Sequence, residues 1–304
     1  MSIDILKNQP HPKVGVAFSG GFIRSAAAIG ALEVLEENGI PIHAVSGCSA
    51  GSGIAAAYAA GNLEVLKKRL LSKFSDYWKV IFEPTFPKTG LLKGQRTRKF
   101  FKEFVGEKNF SDMDMELYIT ATDLNNLKPV ILAEGSVADA IQASVGVPGM
   151  FIPVRRGDKI LTDGGNFNLI PSQVLYDSGA DYVIAIDVSQ NPNLIIRFLA
   201  YLFRILGSQI KLFQISPKFE KEDPNVFDLI WRATKLSATR IQNFYHFSYQ
   251  YNVLIKPNLK GIKRWNVGKV DHLVHLGRAE AERVVAKIKE DLNLVDISNG
   301  TGQN

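Results

Sequence analysis

Ile40-Pro41-Ile42-His43-Ala44-Val45-Ser46-Gly47-Cys48-Ser49-Ala50-Gly51-Ser52-Gly53-Ile54-Ala55-Ala56-Ala57-Tyr58-Ala59-Ala60 is the stretch around which the rest of the chain is organised. An apolar lead-in runs into a G-x-S-x-G pentapeptide, Gly47 to Gly51, and out into an alanine-rich run. The pattern predicts a strand that enters a tight turn and leaves as a helix. Small residues on both sides of the turn leave room for the serine to be pushed out, hydroxyl exposed, above the helix N-terminus. That is the geometry of a nucleophile elbow. The positive end of the helix dipole favours negative charge developing there. Ser49 is the candidate nucleophile.

Upstream, Lys13-Val14-Gly15-Val16-Ala17-Phe18 reads as a short buried strand ended by Ser19-Gly20-Gly21. The segment from Phe22 to Asn38 reads as a helix, with apolar residues at 28, 29, 32 and 35 and Gly39 placed for a left-handed cap. Strand, glycine turn, helix and second strand then lead to the elbow. Such alternation with short connections predicts an α/β layered fold with a largely parallel core sheet. The Ser19-Gly20-Gly21 turn has three readings. It is a tight turn and nothing more, or a phosphate cradle, or a set of backbone N–H groups that stabilise an oxyanion beside the serine. It matches neither G-x-G-x-x-G nor G-x-x-x-x-G-K-[ST], which weakens the phosphate option. Two helix N-termini after adjacent parallel strands meet at one sheet edge, so the third option needs no extra geometry.

Downstream, Leu63 to Trp78 reads as a helix with a basic face, 82–95 as a loop, and Thr97 to Phe104 as another helix. Glu116 to Thr122 alternates like a strand and pairs with Lys128 to Ala133 across an Asn125-Asn126 turn. A short helix spans Val137 to Ser144, stopped by Val147-Pro148-Gly149-Met150. Next comes Lys159-Ile160-Leu161-Thr162-Asp163-Gly164-Gly165, an aspartate at a strand end before two glycines. Asp163 is either the first residue of an Asx-turn or a carboxylate held near Ser49 as its general base. A carboxylate is a weak base at its ordinary value of about 3.9, so the second option requires a site that withdraws it from water. Tyr182 to Val188 reads as a buried central strand, Val253-Leu254-Ile255 as a last one, and Asp271 to Leu292 as a final amphipathic helix.

Gly20-Gly21 followed by Arg24, then Gly47-x-Ser49-x-Gly51, then Asp163-Gly164-Gly165 form an ordered set that resembles the patatin-like phospholipase family. Ala121-Thr122-Asp123-Leu124, Ala143 to Phe151 and Ile255-Lys256-Pro257 agree with it, and the resemblance covers roughly residues 13 to 290. It implies a three-layer α/β/α fold with a mostly parallel central sheet. It also implies a Ser–Asp dyad hydrolase of lipid acyl esters that needs no catalytic histidine, metal or cofactor. Carried over position by position, Ser49 is the nucleophile, Asp163 the base, and Gly20, Gly21 and Phe22 the oxyanion hole. Arg24, Gly47, Gly51, Gly164 and Gly165 support the motifs. Two positions depart from the family pattern: Phe22 stands where a third glycine is usual, and Ser25 where a closing glycine is. A bulky residue at 22 resists φ > 0, and its ring has the size to wall an acyl pocket.

The 304 residues are 46% hydrophobic and 22% charged, a folded globular composition. The single cysteine, Cys48, excludes an internal disulfide framework and a cysteine-based zinc site, and suits a reducing compartment. Met1-Ser2-Ile3-Asp4 shows no basic-then-apolar leader, so the expected location is cytoplasmic, peripheral on the inner face of the membrane. Residues 191–270 carry 13 Lys/Arg against 4 Asp/Glu, a balance of +9 in a chain of +6, which leaves −3 for the remainder. An anionic surface is the expected partner. Within Leu194 to Phe213, Arg197, Tyr201, Arg204, Ser208 and Lys211 share one helical stripe on an otherwise apolar helix. Arg197, Arg204 and Lys211 are candidate membrane-binding residues of an interfacial helix. Packing in the core and a lid over the site are the other roles open to the segment. Asp228 to Tyr251 reads as a further helix, aromatic toward its end; no recognition module accompanies it, so nucleic acid is not an expected partner.

The expected layout is an N-terminal extension, 1–12, one hydrolase domain, 13–297, that contains the basic segment 194–250, and a disordered tail, 298–304. His11 precedes the fold and His43 is placed in a buried strand, whereas His246, His272 and His275 come late enough for a Ser…Asp…His order. An α/β-hydrolase-type esterase with a triad is therefore one alternative. A membrane-binding scaffold whose oxyanion hole Phe22 has disabled is the other.

Overall fold

Val14, Val16 and Phe18 alternate with Gly15 and Ala17 along β1 (Val14–Phe18), and all five are buried. That alternation divides the molecule into layers. The larger residues enter the main core on one face of the sheet, and Ala17 enters a smaller core on the other. In the computed structural model, residues 12–72, 80–85, 90–166, 169–189, 250–263 and 266–294 are described. The amphipathic segment 194–213 with Arg197, Arg204 and Lys211, the helix expected from 228, His246, His11 and the tail from 298 lie outside them.

Five strands run parallel in the order β10 (Val253–Ile255), β9 (Tyr182–Ile186), β1, β2 (Ile42–Cys48) and β4 (Glu116–Asp123). β5 (Lys128–Leu132) and β8 (Lys159–Asp163) both pair antiparallel with β4, and β7 (Val154–Arg156) closes a hairpin with β8. The expectation of a mostly parallel sheet therefore holds at its centre and gives way to hairpins at one edge. Two three-residue strands, β3 (Gly90–Leu92) and β6 (Gly149–Phe151), pair parallel apart from the main sheet. Both correct the sequence reading. β3 lies within the expected loop 82–95, and β6 begins where Pro148 and Gly149 were taken only as a helix stop.

The main core is filled from one side by α1 (Ala26–Glu37), α2 (Ala50–Ala59), α3 (Leu63–Leu71), α4 (Gln95–Val105), α5 (Val137–Ser144) and α7 (Val270–Asp291). On the other face, among the described residues, α6 (Gln173–Asp177) sets Leu175 against β1 and β9. α3 reaches Leu71, short of the Trp78 expected, with 73–79 outside the described residues. α1 and α7 cross at backbone contact. A Cβ on Gly30 would lie 2.0 Å from the Val274 carbonyl oxygen, and one on Gly277 1.7 Å from that of Ala27. Arg278 closes the crossing by donating to Glu33 at 3.1 Å and Glu37 at 2.6 Å. His43 corrects another expectation: it lies on β2, but at its exposed start, where Nδ1 accepts the Val14 N–H at 3.2 Å.

Candidate active site

The site forms where two strands meet end to end. β2 pairs with β4 from Ala44↔Glu116 to Cys48↔Thr120, and β8 pairs with it from Asp163↔Ala121 to Leu161↔Asp123. β5 occupies the opposite edge of β4 over Ile119–Asp123. β2 and β8 therefore share one edge of β4 and run at each other, with their last residues at neighbouring register positions. Ser49 follows immediately after Cys48. It is thus brought beside Asp163, 114 positions later, and Ser49 Oγ donates to Asp163 Oδ2 at 2.7 Å.

Ser49 has φ 52° and ψ −131° and stands as the N-cap of α2. A non-glycine residue reaches positive φ only under constraint, and the constraint here is visible. A Cβ on Gly47 would lie 2.5 Å from Ser52 Cα, and one on Gly51 2.5 Å from the Ser19 carbonyl oxygen. Only glycines let strand, turn and helix approach this closely. The Ser52 hydroxyl donates to the Ser49 carbonyl at 2.6 Å, and the Ser49 N–H donates to Ser144 Oγ at 2.9 Å.

Asp163 is held at every polar group. Oδ1 accepts the Gly165 N–H at 2.7 Å, so the Asx-turn exists, and Oδ2 accepts from Ser49 at the same time. The Asx-turn is present, and the same carboxylate lies within hydrogen-bond distance of Ser49. The Asp163 N–H donates to the Gly146 carbonyl at 2.9 Å, and the Asp163 carbonyl accepts the Thr122 hydroxyl at 2.9 Å. The residue is 8% exposed, which meets the requirement for withdrawal from water.

The turn after β1 lies against the serine. A Cβ on Gly20 would sit 2.8 Å from Ser49 Cβ. Phe22 takes φ 58° despite its side chain, so the left-handed backbone that a glycine would adopt freely is retained. Its ring, half-buried, packs against both the main core and the small cluster of Ile81, Leu91, Leu92, Met150 and Phe151. Arg24 is buried below the turn and donates through Nε to the Ile262 carbonyl at 2.9 Å. Burial lowers its pKa from the ordinary arginine value. Beside the turn, Asp187 is ion-paired with Lys256 at 2.9 Å.

Ser144 and Gly146 were not singled out from the sequence. Ser144 is the last residue of α5, and Gly146 lies in the turn just beyond it. Ser144 Oγ takes the Ser49 N–H and donates to the Thr120 carbonyl at 2.7 Å, while the Gly146 carbonyl takes the Asp163 N–H. The end of α5 and the turn beyond it thus hold both partners of the Ser49–Asp163 hydrogen bond. The only sequence signal was the Ala143–Phe151 stretch, whose resemblance assigned it no chemistry. The histidines are placed elsewhere: His272 and His275 are exposed on α7, His275 Nε2 lying 3.5 Å from Asp271.

A strand–elbow–helix unit presenting a serine to a carboxylate, on a sheet with a parallel centre, defines an α/β protein of the serine-elbow class. The profile of the patatin-like phospholipase family matches residues 16–176, more than half of the chain, and the chain belongs to that family. It is 24% identical over 290 residues to "Lysophospholipase NTE1" of Debaryomyces hansenii, covering 93% of this chain and 18% of that one. It is 25% identical over 271 residues to mouse "Patatin-like phospholipase domain-containing protein 6", covering 87% and 20%. The chain therefore spans about a fifth of the length of these curated relatives. Two solved structures share the fold. VipD from Legionella pneumophila matches with TM-score 0.55 and 13% identity over 91% of this chain and 67% of that one. Human GIVD cytosolic phospholipase A2 matches with TM-score 0.50 and 11% identity, covering 93% and 60%.

Proposed function

We propose that the chain is a carboxylic ester hydrolase of lipid acyl chains, of the phospholipase A or lysophospholipase type, working through Ser49 and Asp163 at a membrane surface. The observation that carries this is the 2.7 Å hydrogen bond from Ser49 Oγ to Asp163 Oδ2 at a backbone-strained elbow. Asp163 takes the Ser49 proton as the oxygen attacks the ester carbonyl carbon, and the C=O π pair moves onto its oxygen. The amides of the Gly20-Gly21-Phe22 turn stabilise that oxyanion, each at about 3 kcal/mol. Collapse expels the alcohol or lysolipid, which takes the proton, and leaves an acyl-serine. Water, deprotonated by Asp163, then attacks the acyl carbon; the bond to Ser49 Oγ breaks, Oγ takes the proton back from Asp163, and the fatty acid is freed.

The left-handed backbone of Phe22 speaks against the scaffold alternative, because the substitution has not diverted the turn. The exposed positions of His272 and His275 speak against a triad. The basic balance of residues 191–270 supports action at an anionic surface, with Arg197, Arg204 and Lys211 as the contacts. Among the described residues no helix is long and apolar enough to cross a membrane. The deciding assay is hydrolysis of lysophosphatidylcholine and of p-nitrophenyl esters of graded chain length. Ser49→Ala and Asp163→Asn should each abolish it with the fold retained by circular dichroism. Full activity in either variant, or its loss in a histidine variant, overturns the dyad. A folded wild-type chain inactive on every substrate restores the scaffold.

A further inference from the structure

The β4–β5 turn carries a leucine in an unusual setting. Leu127 is 68% exposed and has φ 52°. Left-handed turn positions favour glycine or asparagine, and a solvated leucine there gains nothing in the fold. Leu124, 37% exposed, precedes it in the same turn, and Ile131, 40% exposed, follows on β5. The turn is rigidly built. The Asp123 carboxylate is buried beneath it and accepts the Asn125 N–H at 3.0 Å and the Asn126 side-chain amide at 2.7 Å. It is also tied to the neighbouring β7–β8 hairpin: the Leu124 N–H donates to the carbonyl of Ile160 on β8 at 2.8 Å, and Asn125 Nδ2 to that of Asp158 in the turn at 2.6 Å. Lys128, Arg155 and Lys159 are exposed around this pair of turns, against one exposed acid between them, Asp158. Arg156 is directed away, onto the Glu134 carbonyl.

The location matters as much as the composition. Asp163 stands opposite Ala121 on β4, and β4 continues for two more residues before Leu124. At about 3.3 Å per residue, the turn rises about 10 Å past the dyad in the direction in which β2 delivers Ser49. We propose that the joined β4–β5 and β7–β8 turns seat the catalytic edge on a phospholipid surface. Leu124 and Leu127 insert among the acyl chains, and Lys128, Arg155 and Lys159 meet anionic headgroups. This rests on the lipid-hydrolase function proposed above, which requires some part of this edge to face the bilayer. An apolar tip ringed by cations fits that interface, whereas a protein groove would offer no reason for the ring.

The test is partition of Ser49→Ala protein onto phosphatidylcholine vesicles with and without phosphatidylglycerol, so that binding is read without turnover. Leu127→Gly and Leu124→Ser should each lower partition about tenfold, following the transfer free energy of a leucine side chain. Lys128→Glu with Lys159→Glu should lower it only on phosphatidylglycerol-containing vesicles. Leu127→Gly should also leave Tm equal or raised, because glycine relieves the left-handed backbone. In otherwise wild-type protein, hydrolysis of p-nitrophenyl butyrate should be unchanged by all of these. Unchanged partition in both leucine variants overturns the proposal. So does a lower Tm in Leu127→Gly, which would mean that the leucine packs within the chain or against a second copy. Inactivity of the wild-type chain on every ester would instead sink the hydrolase function and leave the partition result standing.

Discussion

Ser144→Ala tests whether the last residue of α5 positions Ser49. Ser144 is fully buried; its Oγ accepts the Ser49 N–H at 2.9 Å and donates to the Thr120 carbonyl at 2.7 Å. Alanine leaves one donor and one acceptor unpaired, each at about 1–3 kcal/mol when buried. Ser49 is half-buried, so water relieves part of its share, and the net loss is about 2 kcal/mol. In a chain of this size that lowers Tm by about 4 °C. The freed amide also lets the strained Ser49 backbone relax, which draws Oγ off the attack geometry. A kcat loss of ten- to a hundredfold with little change in KM is expected, about 1.4–2.7 kcal/mol on the barrier. Ser172 supplies the control, since it too is fully buried but its Oγ has no hydrogen-bond partner among the described residues. Ser172→Ala should leave both Tm and kcat at wild-type values. Tm by scanning fluorimetry and kcat and KM on p-nitrophenyl esters read both effects. A Ser144→Ala enzyme with wild-type kcat, or a Ser172→Ala enzyme equally impaired, refutes the positioning role.

Four further outcomes follow from the same geometry. Phe22→Gly relieves the φ 58° backbone but removes a ring shared by two clusters; short esters should still be hydrolysed, while selectivity for long acyl chains falls in a chain-length series. Gly277→Ala places a methyl 1.7 Å from the Ala27 carbonyl oxygen and should push α7 from α1, destabilising by about 3 kcal/mol or more in urea unfolding. Cys48 is fully buried, and burial first, then the Asp163 charge, hold its thiol well above the ordinary value; it should resist maleimide in native protein and react only on unfolding. Burial pushes the Asp187 carboxyl up, but its contacts with Ser189 and Lys256 outweigh that and leave it below the ordinary value. A depressed carboxylate stabilises the fold above its unfolded value of about 3.9, and that contribution is lost as pH falls through the folded value. Lys256→Met should therefore lower Tm at pH 7, with the deficit closing below about pH 4.

What the sequence disclosed was local. A strand, a glycine turn and a helix are set by neighbours within a few residues, so β1, α1, β2 and the elbow were legible, and α5 has the bounds expected of it. Ser49 and Asp163 were legible as turn residues at strand ends. The direction of β8 was not, because a strand can pair either way and the choice rests on β4, some 40 positions earlier. β3 and β6, three residues each, are too short to show alternation. Ser144 was invisible for a different reason. A serine at the end of a helix is an ordinary residue, and its partner lies 95 positions away. His43 sits on a strand that was read as buried throughout, but the first residues of that strand lie outside the core.

The distance between Ser49 and Asp163 is set by sheet register and by nothing flexible. With no third side chain interposed, the 2.7 Å contact depends on β2 and β8 ending at adjacent positions of β4, Thr120 and Ala121. One residue of slip moves a strand by about 3.3 Å and turns its side chains to the other face, enough to separate the pair completely. The segment from Ser144 to Gly146 answers that demand, because it bonds to the chain on both sides of the junction. Thr162 and the Asp163 amide both donate to the Gly146 carbonyl, and Ser144 bridges Ser49 and Thr120. The bonds that hold the site therefore come from the sheet, the end of its packed helix and the turn just beyond it, and each is buried or part-buried. The Ser49–Asp163 pair, with no imidazole between its members, is thereby held in a fixed geometry.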